Sequence, residues 1–349
     1  MKINDLELYL VAIGQNDSAG PLRSLLVRVS TAGGLEGWGE SGLPWRSSEL
    51  PERRDALRAI LAGRSVYDIE ELHTLEALNP APLRSAVEMA VWDLMGRRMK
   101  QPLCNLFGGF FRRRVPVSLR LGGRRPGQMA QIARERAEQG FHTQMLVSSG
   151  RPEEDAAMVA AVREMVGDRV ELRFDGMSHY DLETARELCL SPEFEGLQFV
   201  VDPLNTPELH ALASLSRQTN VPLATSRTIH HSSDVMAVLR TGVIPYVLID
   251  LEQVGGIIPA RACAAVAEAA AAIPVLSSRP SVGIAAAAML HLATAVSAFS
   301  GSNEIAACQL RDTVLADPLE TIDGMVTVPH GPGLGVEVDR AKVEKYQVA

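Results

Sequence analysis

The stretch ELRFDGMSHYDLETARELCL, residues 171–190, shows the repeating unit of this chain most plainly. A short apolar run typical of a strand ends at Asp175, and an apolar-periodic pattern typical of a helix covers residues 182–190. The loop between them carries polar residues, among them His179. In a (β/α) barrel, reactive groups lie at this carboxyl-terminal edge of the strands.

The same order of strand and helix recurs about every 25 residues on both sides of this stretch. The further predicted strands cover residues 115–119, 143–147, 197–201, 222–225, 246–249 and 274–276. Seven or eight such units in roughly 200 residues favour a parallel α/β barrel with crossover helices. An open doubly wound sheet is also compatible with this pattern.

The residues before the first unit have a different pattern. LLVRVSTAGGLEGWGE, residues 25–40, predicts two antiparallel strands joined at Gly33 and Gly34. SAVEMAVWDLMGRRM, residues 85–99, predicts a long helix that ends before Pro102. We therefore predict a smaller α+β domain in front of the barrel.

The composition narrows the classes of partner. A net charge of −8 and a pI near 5.6 do not favour nucleic acid or an acidic membrane surface. The four cysteines have no paired spacing, so we expect buried thiols in a reducing compartment. The N-terminus alternates like a strand and has no signal-peptide core, so we expect a cytoplasmic protein.

Four motifs resemble the mandelate racemase and muconate lactonizing enzyme branch of the enolase superfamily. They are GLEGWGE at 34–40, SAVEMAVWDL at 85–94, VGGI at 254–257 and DGMVTVPHGPGLGV at 323–336. The resemblance covers essentially the whole chain. It implies an N-terminal α+β capping domain at residues 1–113 and a modified (β/α)7β barrel of the TIM type at 114–322. It also implies a C-terminal segment, 323–349, that returns to the capping domain.

The resemblance also implies a chemistry. In that family, three carboxylates on successive barrel strands hold Mg²⁺, the metal binds a substrate carboxylate, and a lysine or histidine removes the neighbouring proton. The metal is needed because the reaction develops a second negative charge beside the carboxylate. Carried over, the ligand of the third barrel strand is Asp175, and the aspartate that partners a catalytic histidine is Asp250.

The other chemical positions of the family carry residues that cannot do the same work. The two positions of the Lys-x-Lys pair carry Met145 and Val147. The position of the fourth-strand ligand carries Val201, and that of the fifth-strand ligand carries Arg227. The position of the catalytic histidine carries Arg279. An acidic position near the last strand falls on Ala306 or Ala307, with Glu304 nearby but out of phase.

A hard dication requires several oxygen ligands. We therefore expect no cofactor. Mg²⁺ would bind only if Asp202 and Asp250 added oxygens beside Asp175.

We predict instead that guanidinium groups replace the metal and the imidazole. Arg227 would pair with Asp175, and Arg279 with Asp250, because bidentate geometry suits such pairs. The candidate substrate-binding residues are Arg227, Arg279, Arg120 and Trp45. Trp45 is equally compatible with packing at the domain interface. The candidate acid–base groups are Asp250 and His179.

The predicted function is that of a diverged family member that binds or transforms a small anionic carboxylate metabolite without metal. If active, it would be a lyase or an isomerase. One alternative is a catalytically silent oligomeric scaffold or regulatory protein. Another is a Mg²⁺-dependent acid-sugar dehydratase or racemase with unusual ligands. The resemblance suggests a homo-oligomer.

Overall fold

The computed structural model describes residues 1–15, 20–123, 125–305 and 310–348. The N-terminal domain begins with an antiparallel meander of β1 (Ile3–Gly14), β2 (Pro21–Thr31) and β3 (Glu36–Ser41). The turn between β2 and β3 contains Gly34 at φ +79°, a conformation that glycine adopts without strain. The sequence predicted both this turn and the two strands that it joins.

Four helices follow this sheet. They are α1 (Leu50–Leu61), α2 (Ile69–Thr74), α3 (Ala81–Met99) and the short α4 (Leu103–Leu106). Two of them, α1 and α3, pack against the sheet. Helix α3 lies directly against β3, where a Cβ at Gly37 would stand 2.1 Å from the Ala90 carbonyl oxygen. At Gly39 a Cβ would be 1.8 Å from the Ala86 carbonyl oxygen. The two glycines of the GWG sequence therefore permit this close approach of helix and strand.

After β4 (Arg114–Pro116), seven parallel strands form one sheet in sequence order. They are β5 (Leu119–Leu121), β6 (Thr143–Val147), β7 (Glu171–Asp175), β8 (Val200–Val201), β9 (Leu223–Thr225), β10 (Tyr246–Asp250) and β11 (Ile273–Ser277). Asn303 bridges Val117 beside β5, and Glu304 bridges Ser277 of β11. This segment joins the two edges of the sheet, so the strands form a closed barrel rather than an open sheet.

The barrel helices cover the outside of the strands. They are α5 (Pro126–Glu138), α6 (Pro152–Val166), α7 (Leu182–Leu190), α8 (Leu209–Gln218), α9 (Ser232–Leu239), α10 (Leu251–Val254), α11 (Ile257–Ala269) and α12 (Ile284–Ala295). The main core lies between strands and helices. A second cluster fills the barrel axis with apolar side chains, namely Met145, Phe199, Val201, Ala224, Leu248 and Val275.

The C-terminal segment contacts both parts of the molecule. Strands β12 (Thr321–Ile322) and β13 (Met325–Thr327) form a small antiparallel sheet with β4, and α13 (Arg340–Tyr346) follows. Val348 donates its amide N–H to the Leu10 carbonyl in β1, at 2.8 Å. The amide of Leu334 donates to the buried carboxylate of Asp93 on α3, also at 2.8 Å. The tail therefore packs against the N-terminal sheet and its central helix.

Candidate functional site

An ion cluster lies where the carboxyl ends of β5 and β7 meet inside the barrel. Arg120 of β5 donates from Nη2 to Asp175 Oδ2 and from Nη1 to Glu304 Oε2, the latter over 3.3 Å. The side chains of Asp175 and Glu304 are 12% and 1% exposed. The Met177 amide donates to the other Asp175 oxygen at 2.8 Å. Both carboxylate oxygens of Asp175 therefore already accept hydrogen bonds from the protein.

A second arginine, Arg173, lies on β7, two strands away from β5 in the sheet. Arg173 donates from Nε to Gln198 Oε1 at 2.6 Å, and its guanidinium stacks 4.8 Å from the centre of the Phe199 ring. Its Nη1 lies 4.0 Å from Glu304 Oε1. Met145 pairs in register with Arg120 on one side and with Arg173 on the other. Met145, which the resemblance aligns with a lysine of the family, is therefore flanked by two cations from neighbouring strands.

The carboxylate of Asp202 holds the turn after β9. It accepts from the Thr225 hydroxyl at 2.9 Å and from the amides of Ser226 and Arg227 at 3.1 and 3.0 Å. Burial raises the pKa of Asp202, and the charge of Asp175 acts in the same direction. Asp202 is thus a structural cap, with its acceptor sites used within the protein.

Asp250 has a comparable role at the start of α10. Its Oδ1 accepts from the amides of Glu252 and Gln253, at 2.8 and 3.2 Å. Burial raises the pKa of Asp250, and these two hydrogen bonds together with the charge of Arg279 oppose the rise. The candidate base predicted from the sequence therefore serves as the N-cap of a helix.

These carboxylates do not provide the donor set that Mg²⁺ requires. Across residues 1–15, 20–123, 125–305 and 310–348, no three His, Cys, Asp or Glu side chains converge in a way that could hold a metal ion. Asp175 is bonded to a guanidinium, and Asp202 and Asp250 cap their own loops. The residues that the structure describes therefore do not fit the metal of the family.

The predicted pairing of Arg227 with Asp175 is wrong. Arg120 occupies the position beside Asp175, because β5 carries it into the barrel on the same side. Arg227 is exposed on the loop after β9 and donates from Nη2 to the Met177 carbonyl at 3.1 Å. Within the described ranges, no carboxylate lies at ion-pair distance from Arg227. Its guanidinium therefore lies at the rim of the barrel, and its N–H groups are not engaged by a carboxylate of the described residues.

The predicted pairing of Arg279 with Asp250 is also wrong. Arg279 donates from Nε to Glu252 Oε1 at 3.0 Å, and from Nη2 to the Ser24 hydroxyl at 3.0 Å. The other oxygen of Glu252 accepts from the Gly42 amide at 2.8 Å. Since Ser24 and Gly42 belong to the N-terminal domain, Arg279 and Glu252 fasten that domain to the barrel. Burial raises the pKa of Glu252 to about 7, and the charge of Arg279 opposes this rise.

Trp45 is 9% exposed and belongs to the core of the N-terminal domain, together with Leu43 and Leu50. The guanidinium of Arg53 lies 4.8 Å above its ring. Of the two roles left open by the sequence, these contacts support packing, and they place the side chain within the N-terminal core rather than at the barrel mouth.

His179 is exposed on the loop after β7, and its Nδ1 lies 2.9 Å from the Ser148 hydroxyl at the end of β6. That hydroxyl also lies 2.9 Å from Asp155 Oδ2 and 2.8 Å from the Tyr180 hydroxyl. The Tyr180 hydroxyl donates to the same Asp155 oxygen. A buried polar network thus fixes one ring nitrogen of His179 and leaves Nε2 for contact with solvent or a ligand.

Sequence reasoning missed two members of the ion cluster. Glu304 was expected to be out of phase, but its bridge to Ser277 turns its carboxylate into the barrel, where Arg120 and Ser277 donate to it. Arg173 was not singled out, although an arginine two positions before Asp175 on one strand must share its face. Ala306 and Ala307 lie outside the described residues.

The sequence contains four lysines, at positions 2, 100, 342 and 345. None of them lies between residues 101 and 341, which include every strand of the barrel. A barrel without lysine cannot use a neutral lysine amine as its base, so histidine and carboxylate side chains are the candidates for proton transfer at neutral pH.

Two sequence models of known families match the chain. The one described as "Enolase C-terminal domain-like" matches residues 128–342. The one described as "Mandelate racemase / muconate lactonizing enzyme, N-terminal domain" matches residues 16–108.

Within the described part of the chain, no helix has both the length and the apolar character needed to cross a bilayer.

Individual proteins match nearly the whole length of the chain. Muconate cycloisomerase 1 of Rhodococcus opacus is 28% identical over 344 residues, which cover 94% of this chain and 91% of that protein. Arabinonate dehydratase of Saccharolobus solfataricus is 25% identical over 347 residues, with the same coverage of 94% and 91%. The crystal structure of an isomerase from Streptomyces coelicolor A3(2) has a TM-score of 0.88 and 27% identity, and the match covers 99% of this chain and 98% of that one.

Proposed function

Because the chain belongs to the mandelate racemase and muconate lactonizing enzyme family of the enolase superfamily, we propose that it binds a small carboxylate metabolite at the barrel rim without a metal ion. The observation that carries this proposal is the distribution of charge partners. Arg120 and Arg279 each have a carboxylate partner inside the protein, whereas the described residues offer none to Arg227. A ligand carboxylate would complete that pair.

The ion cluster explains why the anion would bind at the rim rather than deeper in the barrel. The charges of Arg120 and Arg173 are balanced by those of Asp175 and Glu304, so the interior cluster has no net positive charge. The barrel axis is otherwise filled by apolar side chains. An incoming anion would therefore meet the guanidinium of Arg227 before any other uncompensated cation among these side chains.

The names of two relatives, muconate cycloisomerase and arabinonate dehydratase, describe enzymes that act on carboxylates. Chemistry on a similar ligand here would need a base other than lysine. His179 is the candidate for that role, because Ser148 holds its Nδ1 and Nε2 is left to exchange a proton. Asp250 does not fit the role, because its carboxylate caps α10.

The test is the melting temperature of the protein with small carboxylates, in the presence of EDTA and then of Mg²⁺. A ligand that binds the native state raises the melting temperature. We expect carboxylates to raise it equally with EDTA and with Mg²⁺, and we expect Arg227→Leu to abolish the rise. Arg240→Leu removes the same charge at the exposed far end of α9 and should leave the rise intact. A rise that requires Mg²⁺ would refute the proposal.

A catalytically silent scaffold is the second candidate, and the filled barrel axis favours it. Met145 and Val201, at positions where the family carries reactive or ligating groups, are 0% and 2% exposed. The same melting experiment distinguishes the two candidates. If no carboxylate stabilises the wild-type protein, the silent role is supported and ligand binding is not.

A further inference from the structure

A small cavity lies between the loops that follow β8 and β9, beside the barrel mouth. Its volume is about 110 Å³, and all of its lining residues belong to the described part of the chain. Arg227 and Thr228 line it from the loop after β9, and Asn205 lines it from the loop after β8. No residue of the ion cluster around Arg120 lines it. The cavity is therefore separate from the barrel axis.

The lining has a polar part and an apolar part. Arg227, Asn205 and Thr228 supply hydrogen-bond donors that suit a carboxylate. Leu204 and Leu212 are 4% and 7% exposed and line the cavity together with Leu209. A ligand that satisfies both parts has an anionic head and a short hydrocarbon tail.

The acidic residues that line the cavity do not neutralise Arg227. Asp202 accepts from the Thr225 hydroxyl and from two backbone amides, as described above. Glu208 lies 3.2 Å from Nε2 of His210 and points its charge to solvent, with its side chain 61% exposed. The guanidinium thus remains available to a ligand.

We infer that this cavity binds the hydrocarbon chain of a short aliphatic monocarboxylate whose carboxylate contacts Arg227. The inference rests on the proposed function and narrows it to a ligand class. An apolar cavity of about 150 Å³ can hold benzene, which has six non-hydrogen atoms, so this smaller cavity has room for about four to six non-hydrogen atoms. That size corresponds to acids from acetate to butanoate.

The experiment is a ligand-observed NMR titration with acetate, propanoate, butanoate, pentanoate and hexanoate, with butanamide as the uncharged control. We expect affinity to rise from acetate to butanoate and to fall for the two longer acids. Butanamide should not bind. Leu209→Phe reduces the cavity and should weaken butanoate at least tenfold while leaving acetate within about twofold. Leu209→Ala enlarges the cavity and should move the optimum to pentanoate or hexanoate.

Two controls separate the inference from the proposal on which it rests. Leu190→Phe changes an exposed leucine, 47% accessible, at the end of α7 and should alter no affinity. If Arg227→Leu abolishes binding of every acid but both Leu209 variants bind like wild type, the cavity inference fails and the proposed function stands. If Arg227→Leu binds like wild type, both fail. Equal affinity for butanoate and butanamide would also overturn the inference.

Discussion

Replacing Arg120 with methionine removes the cation from the interior ion cluster and leaves two carboxylates without it. Removing one partner of a buried ion pair costs about 3–5 kcal/mol. Since Glu304 is 1% exposed and Asp175 is 12% exposed, while Arg120 keeps 25% of its own side chain accessible, we expect about 3 kcal/mol at pH 8. The assay is urea unfolding followed by circular dichroism.

Two further variants complete this prediction. Adding Glu304→Gln to Arg120→Met should recover more than about 1 kcal/mol at pH 8, because it removes one of the two carboxylate charges that lose Arg120 as a partner. Arg134→Met is the matched control, since Glu138 is the one carboxylate among the described residues that pairs with Arg134, at 3.8 Å on the surface. It should cost no more than about 0.5 kcal/mol. A loss below about 1 kcal/mol for Arg120→Met at pH 8, no larger than that of the control, would refute the reasoning.

Three other predictions concern the domain contacts. Burial raises the pKa of Glu252 from 4.5 to about 7, so the folded protein binds more protons than the unfolded chain between these pH values. The free energy of unfolding should therefore fall by at most about 3 kcal/mol as pH rises from 4.5 to 7. Glu252→Gln should remove this pH dependence, as measured by urea unfolding at each pH. Gly42→Ala would place a Cβ 2.1 Å from Arg279 Nε and should cost about 1–3 kcal/mol, measured as a lower melting temperature; an unchanged value would show that Arg279 can move freely. His291 of α12 accepts from the Cys104 amide at 3.3 Å, and its Nε2 lies 3.0 Å from the Leu334 carbonyl oxygen of the C-terminal segment. Burial lowers the pKa of His291 to about 4, so stability should fall as pH drops from 6.5 to 4, and His291→Leu should lack this part of the acid dependence.

Much of the fold could be predicted from the chain alone because periodicity sets the elements. Strand β6 and helix α7 have the predicted bounds, Thr143–Val147 and Leu182–Leu190, since the apolar run and the apolar-periodic pattern are each clear in the sequence. Strand β8 is shorter than the predicted 197–201 and covers Val200–Val201. Residues 198 and 199 run beside β7, with hydrogen bonds from the Gln198 amide to Leu172 and from the Phe174 amide to Phe199.

The site was harder to predict because side-chain partners depend on how the barrel closes. Alternation along β7 places Asp175 inside, but it does not say which arginine reaches it. Arg120 is two strands away in the sheet, and only the closed geometry brings it to Asp175. The inward orientation of Glu304 likewise follows from the bridge that closes the barrel. Arg279 was assigned to the site because its sequence position could not show that the N-terminal domain supplies its partners.

The central claim is that Asp175 is bonded to a guanidinium instead of to a metal ion. Crystals grown in excess Mn²⁺ and measured at its absorption edge test this directly, because an anomalous difference map locates the metal. We predict no peak bonded to Asp175 and continuous density between Asp175 and Arg120. A peak coordinated by Asp175 and further protein oxygens, with Arg120 displaced, would contradict the account.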